Sequence, residues 1–154
     1  MRKLVLATAA LATLGIGSAA IGQSAPNPAV KARQGLMNNY ALNLGVLGAM
    51  AKGDMEYNAE TAKIAADNLA ALSATNQMLL WPEGTDNASI EGTAALPAIW
   101  EAGSDVGAKS DALTEAAAAL AATAGDGVDA IRTGMGPVGQ ACGACHKSYR
   151  ASNN

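Results

Sequence analysis

The sequence predicts an all-α fold, an antiparallel four-helix bundle. Three observations carry this. Long stretches of the chain place apolar residues at steps of three and four, the spacing of one helix face. No stretch shows a sustained alternation of period two, and alanine is abundant while Val, Ile and aromatic residues are sparse, with no Phe among 154 residues, so strands are disfavoured. Proline and glycine divide the chain into four helical candidates joined, with one exception, by short links, and helices so joined pack at about 20° to one another.

The first helix is predicted over Pro28–Lys52. Asn27 is a suitable N-cap, Pro28 takes the first helical position, and Gly53 is the stop. One stripe reads Val30, Arg33, Met37, Tyr40, Leu44, Leu47, Ala51. The charge of Arg33 on that stripe requires a partner if it is buried. The second helix is predicted over Asn58–Leu80 and ends where Pro82 and Gly84 force a turn. Residues 86–95 form a connection long enough that it should be ordered and packed, with Trp81 and Trp100 as anchors. The third helix starts near Leu96–Pro97 and runs to Thr123, with Ile99, Ala102, Val106, Lys109, Leu113, Ala116 and Leu120 on one face. Asp126 is placed to cap the fourth helix, Gly127–Ala151, whose face is Val128, Ile131, Met135, Val138, Cys142, Cys145 and Tyr149. Pro137, among Gly134, Gly136 and Gly139, predicts a kink and a close approach of some flat group to the backbone.

Residues 1–22 read as a secretory leader. Arg2 and Lys3 precede the apolar run Leu4–Ile16, and small residues follow up to Gly22. The alternative, a retained anchor, is disfavoured because the run falls short of the roughly 20 residues of a membrane span. The domain is then 23–154, about 130 residues and one core. Removing Arg2 and Lys3 leaves 8 basic against 13 acidic side chains, a net charge of −5. Such a domain is a poor match for nucleic acid or an anionic membrane surface. The exported chain reaches an oxidising compartment, where two thiols normally pair.

The chemistry concentrates in Ala141–Arg150, ACGACHKSYR, which holds both cysteines and the only histidine. Cys142-x-x-Cys145-His146 has the spacing of a c-type haem attachment site. Two thiols one helical turn apart can each form a thioether to the same porphyrin, and the adjacent imidazole can bind the iron. The competing readings are a disulfide or reduced pair beside a surface histidine, a thioredoxin-like redox pair, and half a zinc site. Zinc lacks a fourth strong ligand, no βαβ pattern accompanies the pair, and a di-iron carboxylate bundle needs more than one histidine. One covalent haem c, with its iron, also supplies the apolar surface that an alanine-rich core lacks.

These residues resemble the class II c-type cytochromes, the family of cytochrome c′ and its low-spin relatives. The resemblance rests on the C-terminal Cys142–Arg150, on Arg33-Gln34-Gly35-Leu36-Met37, on Leu80-Trp81-Pro82 with Glu83-Gly84-Thr85, and on Pro97-Ala98-Ile99-Trp100. It implies haem c, a four-helix bundle, a periplasmic location and often a homodimer. It also implies that Met37 lies over the distal haem face, either as sixth iron ligand or as a packing residue. Arg33 is expected to pair with a haem propionate, its alternative being an exposed helix charge. Arg150, on the face of His146, is expected near the imidazole or a propionate, or else as a solvated terminal charge.

The function favoured by the sequence is a periplasmic carrier, not an enzyme, passing single electrons through an iron held by His146 and Met37. Its acidic charge suits a redox partner protein with a basic patch. The alternative is a five-coordinate haem protein, in the manner of cytochrome c′, that binds nitric oxide or another small gas.

Overall fold

The computed structural model describes residues 27–152, so the leader expected at 1–22 lies outside the described residues. Four helices form the bundle: α1 (Pro28–Lys52), α2 (Ala59–Ser73), α3 (Val106–Thr123) and α4 (Val128–Tyr149). Three single 3₁₀ turns, Met78–Leu80, Pro97–Ile99 and Ala124–Asp126, punctuate the connections. α3 packs on α4 and α2, and α1 packs on α2 and α4. Among the described residues no helix is long and apolar enough to cross a membrane.

The ends of α1 follow the sequence signals. Asn27 Oδ1 accepts from the Ala29 and Val30 amides, and Gly53 closes the helix in the left-handed region at φ 86°. Its buried face differs from the expected stripe. Val30, Arg33, Tyr40 and Leu47 are buried, but Leu36, Asn43 and Met50 take the remaining positions. Met37 is 37% exposed. The true seam is rotated by about one residue, which turns Met37 and Leu44 toward a cavity at the side of the core.

α2 is shorter than expected. Thr75 Oγ1 donates to the Leu72 carbonyl, and Asn76 Oδ1 accepts from the Met78 amide. These short polar side chains compete with the helical ladder and end it at Ser73. α3 also starts late. Gly103 adopts φ 90°, so Pro97–Ile99 makes a separate turn and the α-helix begins at Val106. Asp126 does not cap α4; the N-cap is Gly127, with no side-chain capping bond. α4 runs through Pro137 without a break.

The expected role of the α4 glycines changes too. A Cβ on Gly134 would lie 2.7 Å from Leu120 Cδ1 and 3.4 Å from Leu120 Cα. Gly134 therefore lets α4 pack closely on α3. No atom would crowd a Cβ on Gly136 or Gly139, and none of the three lines the cavity described below.

The long connection is ordered, as expected. The Asn87 amide donates to the Ala95 carbonyl at 2.8 Å. An isolated antiparallel bridge joins Ala95 to Arg150, and the Ala151 amide donates to the Ala94 carbonyl at 2.8 Å. Trp100 Nε1 donates to the Trp81 carbonyl at 3.0 Å, with the two ring centres 6.5 Å apart. The connection is thus clipped to the chain end just past α4.

Candidate haem-binding site

A cavity of about 380 Å³ opens at the side of the bundle. Cys142, Cys145 and His146 project into it from α4, where the spacing of three residues stacks the two thiols one turn apart. α1 contributes Met37, Tyr40 and Leu44, and α3 contributes Val106, Lys109 and Leu113. Trp81, Met78 and Ile99 from the connection complete the walls. Apart from the Tyr40 hydroxyl, the Gln77 amide, Ser110 and Lys109, the walls are almost wholly apolar.

The donor set suits a covalently held haem. Both cysteines are free and half-buried, and burial pushes both thiols up from their ordinary range. Burial, with a smaller contribution from the Arg150 charge, pulls the His146 imidazole down and so favours the neutral form that binds metal. Among the described residues no cluster of three His, Cys, Asp or Glu is arranged to hold a bare metal ion. An apolar cavity with two thiols and an imidazole on one wall fits a flat apolar ring anchored through its edge.

Arg33 departs from expectation. It is buried, at 3% exposure, but does not line the cavity. Nη1 donates to Thr85 Oγ1 at 2.7 Å and to the Leu80 carbonyl at 3.4 Å. Nη2 donates to Thr93 Oγ1 at 2.7 Å and, in a short contact, to the Thr85 carbonyl. The guanidinium also lies over the Trp81 ring, 4.8 Å from its centre. Its acceptors all lie on the connection between α2 and α3. Through Trp81 it braces one cavity wall from behind.

Arg150 is exposed and shares an outer groove with His146, Gly143 and Lys147. Tyr40 is buried, and its oxygen accepts from Gln77 Nε2 at 3.4 Å. Lys109 went unassigned in the sequence reading. Its position between Val106 and Leu113 on the α3 stripe was the available signal.

The family model for cytochrome C′ matches residues 28–150, the whole bundle. The chain belongs to the cytochrome c′ family. Cytochrome c-554 of Cereibacter sphaeroides is 42% identical over 121 residues, 79% of each chain. The solved cytochrome c′ of Rhodobacter sphaeroides superposes with a TM-score of 0.78 at 39% identity, covering 81% of this chain and 96% of that one. A nitric oxide complex of a mutant cytochrome c′ from Alcaligenes xylosoxidans matches at 32% identity and a TM-score of 0.69, covering 81% of this chain and 94% of that one.

Membership carries a single covalent haem c with its iron, and a carrier role rather than an enzymatic one. It also overturns the expected His/Met-ligated carrier. The matched family is cytochrome c′, and solved relatives hold nitric oxide.

Proposed function

We propose that this chain is a periplasmic five-coordinate haem protein that binds nitric oxide or a similar small gas. Cys142 and Cys145 carry the thioethers, and His146 is the single protein ligand to iron. Haem bound there would supply one-electron chemistry and an iron able to take a diatomic ligand. The protein's part is to hold the imidazole neutral, to keep the facing wall apolar, and to exclude water. Met37, Leu44 and Tyr40 form that wall as packing groups rather than ligands. The observation that carries the reading is the convergence of Cys142, Cys145 and His146 on one face of an apolar cavity, joined to the nitric oxide complex of the related Alcaligenes protein.

The leader pattern of residues 1–22 supports export. The exposed apolar side chains of Leu42 on α1 and Ile64 on α2 support a homodimer. Electron exchange with a partner protein is compatible with the same site.

Absorption spectra of the purified ferric and ferrous protein test the reading. High-spin bands that shift on adding carbon monoxide are expected. Low-spin bands in both states, unchanged by carbon monoxide, would overturn it.

A further inference from the structure

Lys109 is the one permanently charged side chain among the residues lining the cavity. Its side chain is only 21% exposed. Nζ sits 3.0 Å from Asp105 Oδ2. Asp105 Oδ1 in turn accepts from the Tyr149 hydroxyl at 2.6 Å, and the Asp105 amide donates back to that hydroxyl at 2.9 Å. Tyr149 lies three residues after His146 on α4 and is buried. An ion pair at the start of α3 is thus fixed at the wall of the cavity that Cys145 also lines and tied to the last turn of the helix that carries the imidazole.

We propose that Lys109 and Asp105 are an opposed charge pair that sets the redox balance of the haem, Lys109 favouring the reduced iron and Asp105 the oxidised. The inference rests on the assignment of Cys142, Cys145 and His146 as the attachment site. Reduction adds one electron and lowers the charge of the centre by one. A fixed cation at the cavity wall favours that change and a fixed anion opposes it. The lysine is mostly withdrawn from water, so its field is weakly screened, whereas the Asp105 side chain is 58% exposed and acts more feebly. Tyr149 keeps the carboxylate from swinging away.

Spectroelectrochemical titration of the intact holoprotein at low ionic strength tests this, with wild type, K109Q, K109R and D105N. K109Q should shift the equilibrium with a redox mediator about threefold toward the oxidised protein, or about 28 mV at 59 mV per decade for one electron. D105N should shift it the opposite way by a smaller factor, and K109R should match wild type. Opposite signs mark an electrostatic role, since a loss of packing would move both variants together. Shifts of the same sign, or none in K109Q, would overturn the proposal. If K109Q fails to hold haem, D105N and K109R decide: the proposal fails unless the first rises and the second stays put. A wild-type protein without attached haem on a denaturing gel would instead refute the attachment site.

Discussion

Replacing Arg33 by alanine should unfasten the connection between α2 and α3. In the native state the guanidinium makes four hydrogen bonds, to Leu80, Thr85 and Thr93, from a site that is 3% exposed. Hydrogen bonds to a charged group contribute roughly 1.5–3 kcal/mol each before the cost of burying the charge. The contact with Trp81 adds about 0.5–1 kcal/mol. Burial offsets much of that sum, and desolvation indeed holds the Arg33 pKa below its ordinary value. Truncation, however, strands the Leu80 and Thr85 carbonyls and the Thr93 hydroxyl in a partly dry site. We therefore expect R33A to cost about 3 kcal/mol, with R33K recovering part of it, since an ammonium cannot span the same fork of acceptors. Urea denaturation followed by far-ultraviolet circular dichroism measures the loss, and an unchanged m-value would attribute it to the native state. The haem-free protein supplies the control. A loss below about 1 kcal/mol that appears only with haem bound would return Arg33 to a propionate and refute the clasp.

At Gly134 a Cβ would collide with the fully buried Leu120, so G134A should lose about 1 kcal/mol despite alanine's better helix propensity, and G134V about 3 kcal/mol. The unobstructed Gly139→Ala should instead gain about 0.5 kcal/mol; thermal unfolding of the three variants checks the order, and a more stable G134A would contradict the close packing of α3 on α4. Asp86 accepts from Ser89 Oγ at 2.8 Å and from the Ala88 and Ser89 amides at 2.9 and 3.0 Å, and these bonds, that to the Ser89 side chain first, hold its carboxyl below the ordinary carboxylate range. A carboxyl depressed in the folded state stabilises at neutral pH and loses that contribution as pH falls through its folded pKa. The melting temperature of wild type should accordingly fall more steeply than that of D86N between pH 5 and about pH 2, and parallel curves would exclude this role.

The helices and the attachment motif were legible because their determinants are local. Asn27, Pro28 and Gly53 fix α1 through caps that involve only their neighbours in sequence. The step of three from Cys142 to Cys145 fixes two thiols on one turn whatever else the fold does. Arg33 was half legible. A charge on a buried stripe announced a need for a partner, but the partners Thr85 and Thr93 lie 52 and 60 residues away, and no local pattern connects them. The displaced seam of α1 has a similar cause. Met37 and Leu36 are both apolar neighbours, and only the placement of α2 and α4 decides which faces the core and which the cavity. Lys109 was hidden by the same rule, since a cation on an apolar stripe reads as an interruption until the cavity beside it is seen.

That cavity also explains why so small a domain tolerates a core built largely of alanine. Two apolar clusters flank it. The larger holds Leu47, Leu69, Leu120, Ile131 and Val138, with Leu44, Leu113 and Cys142 packed at its edge. The smaller holds only Ala95, Ile99 and Tyr149 as buried members, with Trp81, Val106 and Cys145 against it. The two cysteines thus belong to different clusters, one on each side of the same cavity. The cavity opens at the side of the bundle, so its apolar walls face water until an apolar group covers them. A ring tethered at both Cys142 and Cys145, as proposed, would fill that space and fasten the weaker cluster to the stronger. The connection that carries Trp81 is held by Arg33, by the Trp100 indole and by its bridge to Arg150, which is why its long, irregular course can remain ordered without a helix of its own.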